Sequence, residues 1–267
     1  MKPTACGPLP ADVQRRLASA RLGRRIYFHP DIASTNERAL ELARAGEPEG
    51  TVVMADHQRA GRGRRGQAWS SPAHRNLLMS IILRPDTDAR GALAVTLVAA
   101  VSVSVVLSKL LDVEFHVKWP NDVVCDRGKI AGILAESSAT AASVSHVVLG
   151  IGVNVNARAE EFPAALPYPA ASCLTLTGVE WDRADIAADV LGTMEAYYDR
   201  FLRDGFAPLR GAYEARLLHL GRAVAFEQNG ARAEGIVRGV AGDGALRVEC
   251  GGGEETLLYS ETIEAIL

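Results

Sequence analysis

The chain has 267 residues, of which 48% are hydrophobic and 23% charged, and its formal net charge is −3 at pH 7. That length is enough for one sizeable core and a small appended domain, and the composition is that of an ordinary globular protein. A near-neutral balance excludes a general pull towards nucleic acid or anionic membrane, so any basic function must be local.

The four cysteines, Cys6, Cys125, Cys173 and Cys250, lie far apart and match no zinc or Cys-x-x-Cys spacing. They read as reduced thiols of a cytoplasmic protein. Residues 1–10 contain no apolar core of a signal peptide. Only ALAVTLVAAVSVSVVL at 92–107 invites a membrane reading. It falls short of the roughly 20 apolar residues a span requires and carries Thr96, Ser102 and Ser104, so a helix buried against a sheet is expected, with no membrane partner.

In chain order, residues 11–22 predict a short amphipathic helix and residues 25–29 a first strand. Ser34-Thr35-Asn36 stands directly before ERALELARAG, whose alanines and leucines recur at helical spacing. By itself this is a helix cap. A helix N-terminus bearing hydroxyl and amide groups is also a ready polar pocket for a small ligand.

Strands predicted at 51–56 and 76–83 flank the loop QRAGRGRRGQAW, residues 58–69. Gly61, Gly63 and Gly66 let the backbone bend sharply and approach a ligand closely. Arg59, Arg62, Arg64 and Arg65 add planar forks suited to carboxylate and phosphate oxygens. No Gly-Lys-Ser/Thr ends the loop, so it is not a Walker A motif. Taken alone, it fits a solvated basic turn or an RNA-binding arginine–glycine segment equally well.

A helix at 90–111 and a strand at 114–118 follow. In Lys118-Trp119-Pro120-Asn121-Asp122 the proline ends the strand and Asn-Asp favours a turn. A plain strand-ending turn over a buried tryptophan accounts for that much. KIAGILAE, residues 129–136, is an apolar run headed by a lysine, with Gly132 inside it, where glycine marks close approach of a ligand or another backbone. Only Lys2, Lys109, Lys118 and Lys129 are lysines among 29 basic side chains. A lysine set among unusual residues is therefore a candidate for work that needs a compact ammonium. An apolar strand at 147–155 carries Gly150 and Gly152 and is closed by Asn154 and Asn156.

Residues 157–181 form a proline-containing connection, and helices are expected at 183–203 and 206–217. From about residue 220, β-prone pieces at 223–228, 233–240, 245–250, 255–259 and 262–266 alternate with turns such as Gln228-Asn229-Gly230, Gly242-Asp243-Gly244 and Gly251-Gly252-Gly253. That texture is a small antiparallel barrel. The expected domains are 1–218 and 219–267.

Together, Ser34-Thr35-Asn36, GRGRRGxxW, KWPND, KxAGILxE and the Gly150–Asn156 segment, in this order and spacing, make residues from about 34 to 156 resemble the biotin protein ligases. The C-terminal barrel agrees with that family's SH3-like domain. The resemblance implies an α+β catalytic domain, a mixed and mainly antiparallel sheet flanked by helices, related to class II aminoacyl-tRNA synthetases. It implies a ligase that joins biotin to ATP as biotinyl-5′-AMP, releasing pyrophosphate. The biotinyl group then passes to a lysine of a biotin carboxyl carrier protein domain of a carboxylase, releasing AMP.

Carried over position by position, Ser34, Thr35 and Gln58 would hydrogen-bond the ureido head, with Asn36, Gly63 and Gly132 in the same biotin pocket. Arg62 to Arg64 would close over the adenylate. Lys129, with Arg64 the implied catalytic pair, would contact carboxylate and phosphate oxygens. Trp69 and Asn154 would border the adenine. No protein motif binds metal directly, and Mg²⁺ is expected with ATP. Asp122 and Glu136 stay open between orienting basic groups and a structural role.

Lipoate and octanoate transfer enzymes share the implied fold, but polar Ser34-Thr35 and Gln58 favour biotin over an aliphatic chain. Only 33 residues precede Ser34, fewer than the roughly 50 of an independent domain. The expectation is a monofunctional cytoplasmic ligase, monomer or homodimer, without an N-terminal DNA-binding domain or a nucleic-acid partner.

Overall fold

The computed structural model describes residues 10–86, 91–139, 144–164, 166, 168–228, 231–253, 255–259 and 263–266. Cys6, Lys2, the leader reading of the N-terminus and the Asn229-Gly230 part of one turn lie outside the described residues. The elements in chain order are α1 (Pro10–Arg16), β1 (Ile26–His29), α2 (Thr35–Arg44), β2 (Val52–Ala55), β3 (Leu77–Leu83), α3 (Gly91–Leu111), β4 (His116–Lys118), β5 (Asp122–Cys125), β6 (Gly128–Ala139) and β7 (Val144–Val153). They continue with α4 (Cys173–Thr177), α5 (Arg183–Asp204), α6 (Arg210–Glu214), β8 (Ala223–Gln228), β9 (Ala231–Val240), β10 (Leu246–Cys250), β11 (Glu255–Leu258) and β12 (Ile263–Ala265).

The first seven strands form one sheet in the order β1-β2-β3-β7-β6-β5-β4. Only the β1–β2 pairing is parallel; every other neighbour is antiparallel. The mixed, mainly antiparallel sheet is therefore as expected. Its central strands β3 and β7 are largely apolar because both faces are covered. Leu77, Met79, Ile81 and Leu83 of β3 and Leu149, Ile151 and Val153 of β7 point into the main core with α3 and α5. Ile82, Val53 and Val148 point the other way, onto Ala39, Leu42 and Ala43 of α2.

α3 is long and apolar enough to cross a membrane, but 72% of its most apolar window is buried inside the protein. Its neighbours α5 and β6 explain the hydrophobic run. Ser102 and Ser104 donate their hydroxyls to the helix's own carbonyls of Val98 and Val101, which makes their burial tolerable.

The last five strands form a separate antiparallel sheet ordered β11-β10-β9-β8-β12. It leans on the first unit where the Trp119 indole donates to the Gly244 carbonyl at 3.1 Å and Glu214 accepts from Val240 N at 2.9 Å.

Three local expectations are corrected. The predicted helix 11–22 stops at Arg16, because the Glu195 carboxylate of α5 accepts the backbone N–H groups of Ala20, Arg21 and Leu22 at 2.5–2.7 Å. The helix predicted at 206–217 is a 3-10 turn followed by α6, which ends at Glu214. Asp122, expected within the turn, opens β5, so the KWPND turn links two paired strands, β4 and β5.

Candidate active site

The face of the sheet that carries α2 also carries the site, and glycine makes room for it. Gly150 and Gly152 alternate with core-facing Leu149 and Ile151, and Gly152 is paired with Gly132 on β6. A Cβ on Gly150 would lie 2.3 Å from Asn36 Oδ1; one on Gly152 would lie 2.6 Å from the Trp69 indole, and one on Gly132 2.9 Å from it. The absent side chains thus form a bare floor on which the start of α2 and the indole both rest.

Above this floor lies a cavity of about 770 Å³, a size suited to a ligand larger than one sugar or amino acid. Ser34, Thr35, Asn36, Gln58, Arg62, Gly63, Arg64, Trp69, Lys129, Gly132 and Asn154 all line it. The structure brings together the eleven residues to which the resemblance assigns a ligand contact, whereas Arg59, Gly61, Gly66, Glu136 and Asn156 lie outside the cavity lining.

At one end, Ser34 caps α2, accepting from Glu37 N. Gln58 Oε1 accepts from Thr35 N at 2.8 Å and lies 3.0 Å from the Thr35 hydroxyl oxygen. Asn36 reaches Glu136 at 2.7 Å, and Ser80 lies 2.6 Å from Asn36 Oδ1. Capping and pocket formation are here the same geometry.

At the other end stands Lys129, whose Nζ lies 2.7 Å from Asp122 Oδ1 and 5.5 Å from the centre of the Trp69 ring. The β4–β5 turn supplies this arrangement. Asn121 exchanges hydrogen bonds with the backbone of Ile133 at 2.9 and 3.0 Å, which pins the turn to β6 and sets Asp122 beside Lys129. Arg64 donates to Asn121 Oδ1 at 3.1 Å. The glycine–arginine loop crosses the cavity between these ends, tightened by a 3-10 turn at Arg64–Gly66 in which Arg65 takes φ = 53°.

Two placements refine the expected roles. Arg62 faces carboxylates, lying 3.2 Å from Glu136 and 3.8 Å from Glu37. Asn154 borders the cavity, yet its amide is engaged by Ala171 O at 3.1 Å, Lys129 O at 3.4 Å and Asn76 Nδ2 at 3.2 Å.

Sequence reasoning left Asp122 and Glu136 undecided, and the structure gives each a basic partner. It missed Ser80, the one polar residue of the buried strand LLMSIIL. An isolated hydroxyl in an otherwise apolar central strand is the signal that marks it. It also missed Tyr168, which lines the cavity and has the Lys118 ammonium 5.0 Å from its ring centre. Among the described residues five basic side chains, Arg62, Arg64, Arg65, Lys118 and Lys129, line the cavity against two acidic ones, Asp122 and Glu264. The cavity suits anions. Among the described residues no group of three His, Cys, Asp or Glu side chains could hold a metal ion.

Known proteins carry the same pattern. Residues 29–154 match the biotin/lipoate A/B protein ligase family, and residues 219–263 match the biotin protein ligase C-terminal domain. A biotin–[acetyl-CoA-carboxylase] ligase of Paracoccus denitrificans is 36% identical over 235 residues, covering 85% of this chain and 95% of its own length. The bifunctional ligase/repressor BirA of Bacillus subtilis is 33% identical over 254 residues, covering 95% of this chain and 78% of its own. The biotin protein ligase of Aquifex aeolicus, solved in complex with biotin and ATP, is similar at a TM-score of 0.79 and 29% identity, over 91% of this chain and 100% of that one. On the strength of these matches across both sheets, the chain belongs to the biotin protein ligase family.

Proposed function

We propose that this chain activates biotin with ATP and transfers the biotinyl group to a carrier lysine. The observation that carries the reading is the convergence of Lys129, Arg62 and Arg64 with the polar start of α2 around one cavity. Biotin's carboxylate and a triphosphate repel each other, and fixed cations must offset that repulsion before the two can meet.

The uncharged ureido head suits the end lined by Ser34, Thr35, Asn36 and Gln58, and the adenine suits the flat face of Trp69. Lys129, held between Asp122 and the indole, presents a fixed ammonium where carboxylate oxygen attacks the α-phosphorus. As that bond forms and pyrophosphate leaves, negative charge builds on the phosphoryl oxygens, which Lys129 and Arg64 stabilise. The glycine-rich loop covers the mixed anhydride and excludes water until an acceptor arrives. The acceptor amine then attacks the acyl carbon, forming the amide and releasing AMP.

Mg²⁺ would enter with the triphosphate, since hard cations of this kind are bound through phosphates and one or two carboxylates. The phosphates would be its main ligands; Asp122, whose Oδ1 takes the Lys129 ammonium, would at most add one oxygen, and the ion when bound would supply further charge screening. The acceptor is a biotin carboxyl carrier domain of a carboxylase, and dependence on ATP together with free Cys125, Cys173 and Cys250 fits the cytoplasm.

The test is ATP–pyrophosphate exchange with biotin, lipoate or octanoate as the acid. Exchange driven by biotin alone is expected. Exchange driven by lipoate or octanoate instead would replace this reading with that of the acyl-chain ligases sharing the fold.

A further inference from the structure

Behind the α2 end of the cavity runs an unbroken line of oxygen atoms. Asn36 Oδ1 is 2.6 Å from Ser80 Oγ, Ser80 Oγ is 2.8 Å from Thr35 Oγ1, and Thr35 Oγ1 is 3.0 Å from Gln58 Oε1. Thr35, Asn36 and Gln58 face the cavity, while Ser80 is fully buried beneath them.

The protons available to this line can be counted. The backbone N–H of Thr35 points at Gln58 from 2.8 Å, so the oxygen of that amide, and not its NH₂, must face Thr35. At the other end, Asn36 Nδ2 is 2.7 Å from Glu136 Oε2 and 3.3 Å from the Leu134 carbonyl, and both partners are acceptors. They fix the Asn36 amide with its oxygen towards Ser80. Amide oxygens therefore terminate the line at both ends, and its only protons are the hydroxyls of Ser80 and Thr35. Three oxygen–oxygen contacts share two protons. The contact left without a proton is the longest, 3.0 Å between Thr35 Oγ1 and Gln58 Oε1: Ser80 then donates to Asn36 and Thr35 to Ser80, and Thr35 Oγ1 and Gln58 Oε1 turn lone pairs towards the cavity that both line. An N–H placed there serves both; a C–H or a further acceptor leaves Thr35 Oγ1 without a donor and Gln58 Oε1 with the Thr35 N–H alone.

The direction of Asn36 decides this. Were its amide reversed, its NH₂ would donate to Ser80, Ser80 to Thr35 and Thr35 to Gln58, and the line would be satisfied with no ligand. Glu136 opposes the reversal, and Arg62 grips the same Glu136 oxygen from the loop side at 3.2 Å. We propose that Glu136 is a specificity-determining positioning residue, which holds the line one proton short so that the pocket demands an N–H donor. Glu136 does not line the cavity and acts through Asn36. The inference rests on the biotin reading, because the ureido ring carries such donors.

Calorimetric titration of wild type, Glu136→Gln and Glu136→Ala with biotin and with its two mono-N-methylated ureido analogues tests it. Wild type should prefer biotin to at least one analogue. Glu136→Ala should lose about tenfold of that preference, the worth of one well-placed hydrogen bond. Glu136→Gln keeps an acceptor for Asn36 and should retain the preference within about threefold. The methyl group is equally bulky in every variant, and a general loss of stability would not alter the ratio. NMR of unliganded wild type should show the Asn36 amide protons close to Glu136, which reads the geometry without any variant. Amide protons directed at Ser80, or an unchanged preference in Glu136→Ala, would overturn the inference while the biotin reading stands. No biotin binding by wild type would overturn both.

Discussion

Gly150 and Gly152 stand two residues apart on one face of β7, and adding a methyl group to each should damage different halves of the reaction. Neither glycine has a positive φ, so alanine introduces no backbone strain there and the effect is steric. In Gly150→Ala the new Cβ would sit 2.3 Å from Asn36 Oδ1, and that oxygen must retreat by about 1 Å to reach ordinary contact. Asn36 is pinned by Ser80 and Glu136, so the retreat weakens two hydrogen bonds, together about 1–3 kcal/mol. Biotin affinity should fall roughly tenfold or more, with the KM for ATP little changed. In Gly152→Ala the Cβ would sit 2.6–2.9 Å from three indole atoms of Trp69. A rigid ring must lift from the floor and lean into the cavity. Overpacking of this kind costs about 1–3 kcal/mol, and a loop residue that can yield puts it at the lower end. The KM for ATP should rise about fivefold with biotin binding preserved. Biotin-dependent pyrophosphate exchange gives both KM values, and calorimetry gives biotin affinity directly. If both variants raised the KM of the same substrate, the assignment of the two ends of the cavity would fail.

Lys129→Ala should lower biotinyl-AMP formation at least about tenfold, measured by pyrophosphate exchange; an unchanged rate contradicts its role. Arg64→Gly should let the adenylate leave and acylate nearby lysines, so an adenylate dissociation rate equal to wild type counts against the lid. His219 is buried, and burial, reinforced by the Lys118 and Arg222 charges, pulls its pKa down from 6.5 to about 4. Between those values the unfolded chain takes up a proton that the native protein refuses, so stability should fall as pH drops from about 6.5 towards 4, by up to about 3 kcal/mol. Urea unfolding across that range should show a shallower acid limb in His219→Phe; an identical pH dependence in the variant would assign the loss to other groups.

Much of this architecture could be read from local pattern, and the exceptions share a cause. The strands of the second sheet follow from short β-prone pieces between glycine turns, and α3 from its length and apolarity. The end of α1 could not be read, because the Glu195 carboxylate that holds the chain after Arg16 comes from a helix 170 or more residues away in sequence. β5 was hidden because a proline followed by Asn-Asp marks a turn without saying that a strand resumes at once. Within the site, residue types announced the participants but not their partners. Nothing near Arg62 in the sequence indicates that it lies against Glu136, or that Asp122 is the counter-charge of Lys129, since the course of the loop creates the first neighbourhood and β5–β6 pairing the second. Ser80 shows the reverse case, a residue conspicuous within its own strand whose purpose emerges only once β3 is laid beneath α2.

The central claim is that cations fixed around one hollow let two anions react and pass an acyl group to a protein. Mass spectrometry of a biotin carboxyl carrier domain incubated with this protein, ATP and biotin tests it most directly. The account predicts one biotinyl group on one carrier lysine, dependent on both small substrates and strongly reduced in Lys129→Ala. A carrier left unmodified by wild type, or modified equally well without ATP, would contradict it.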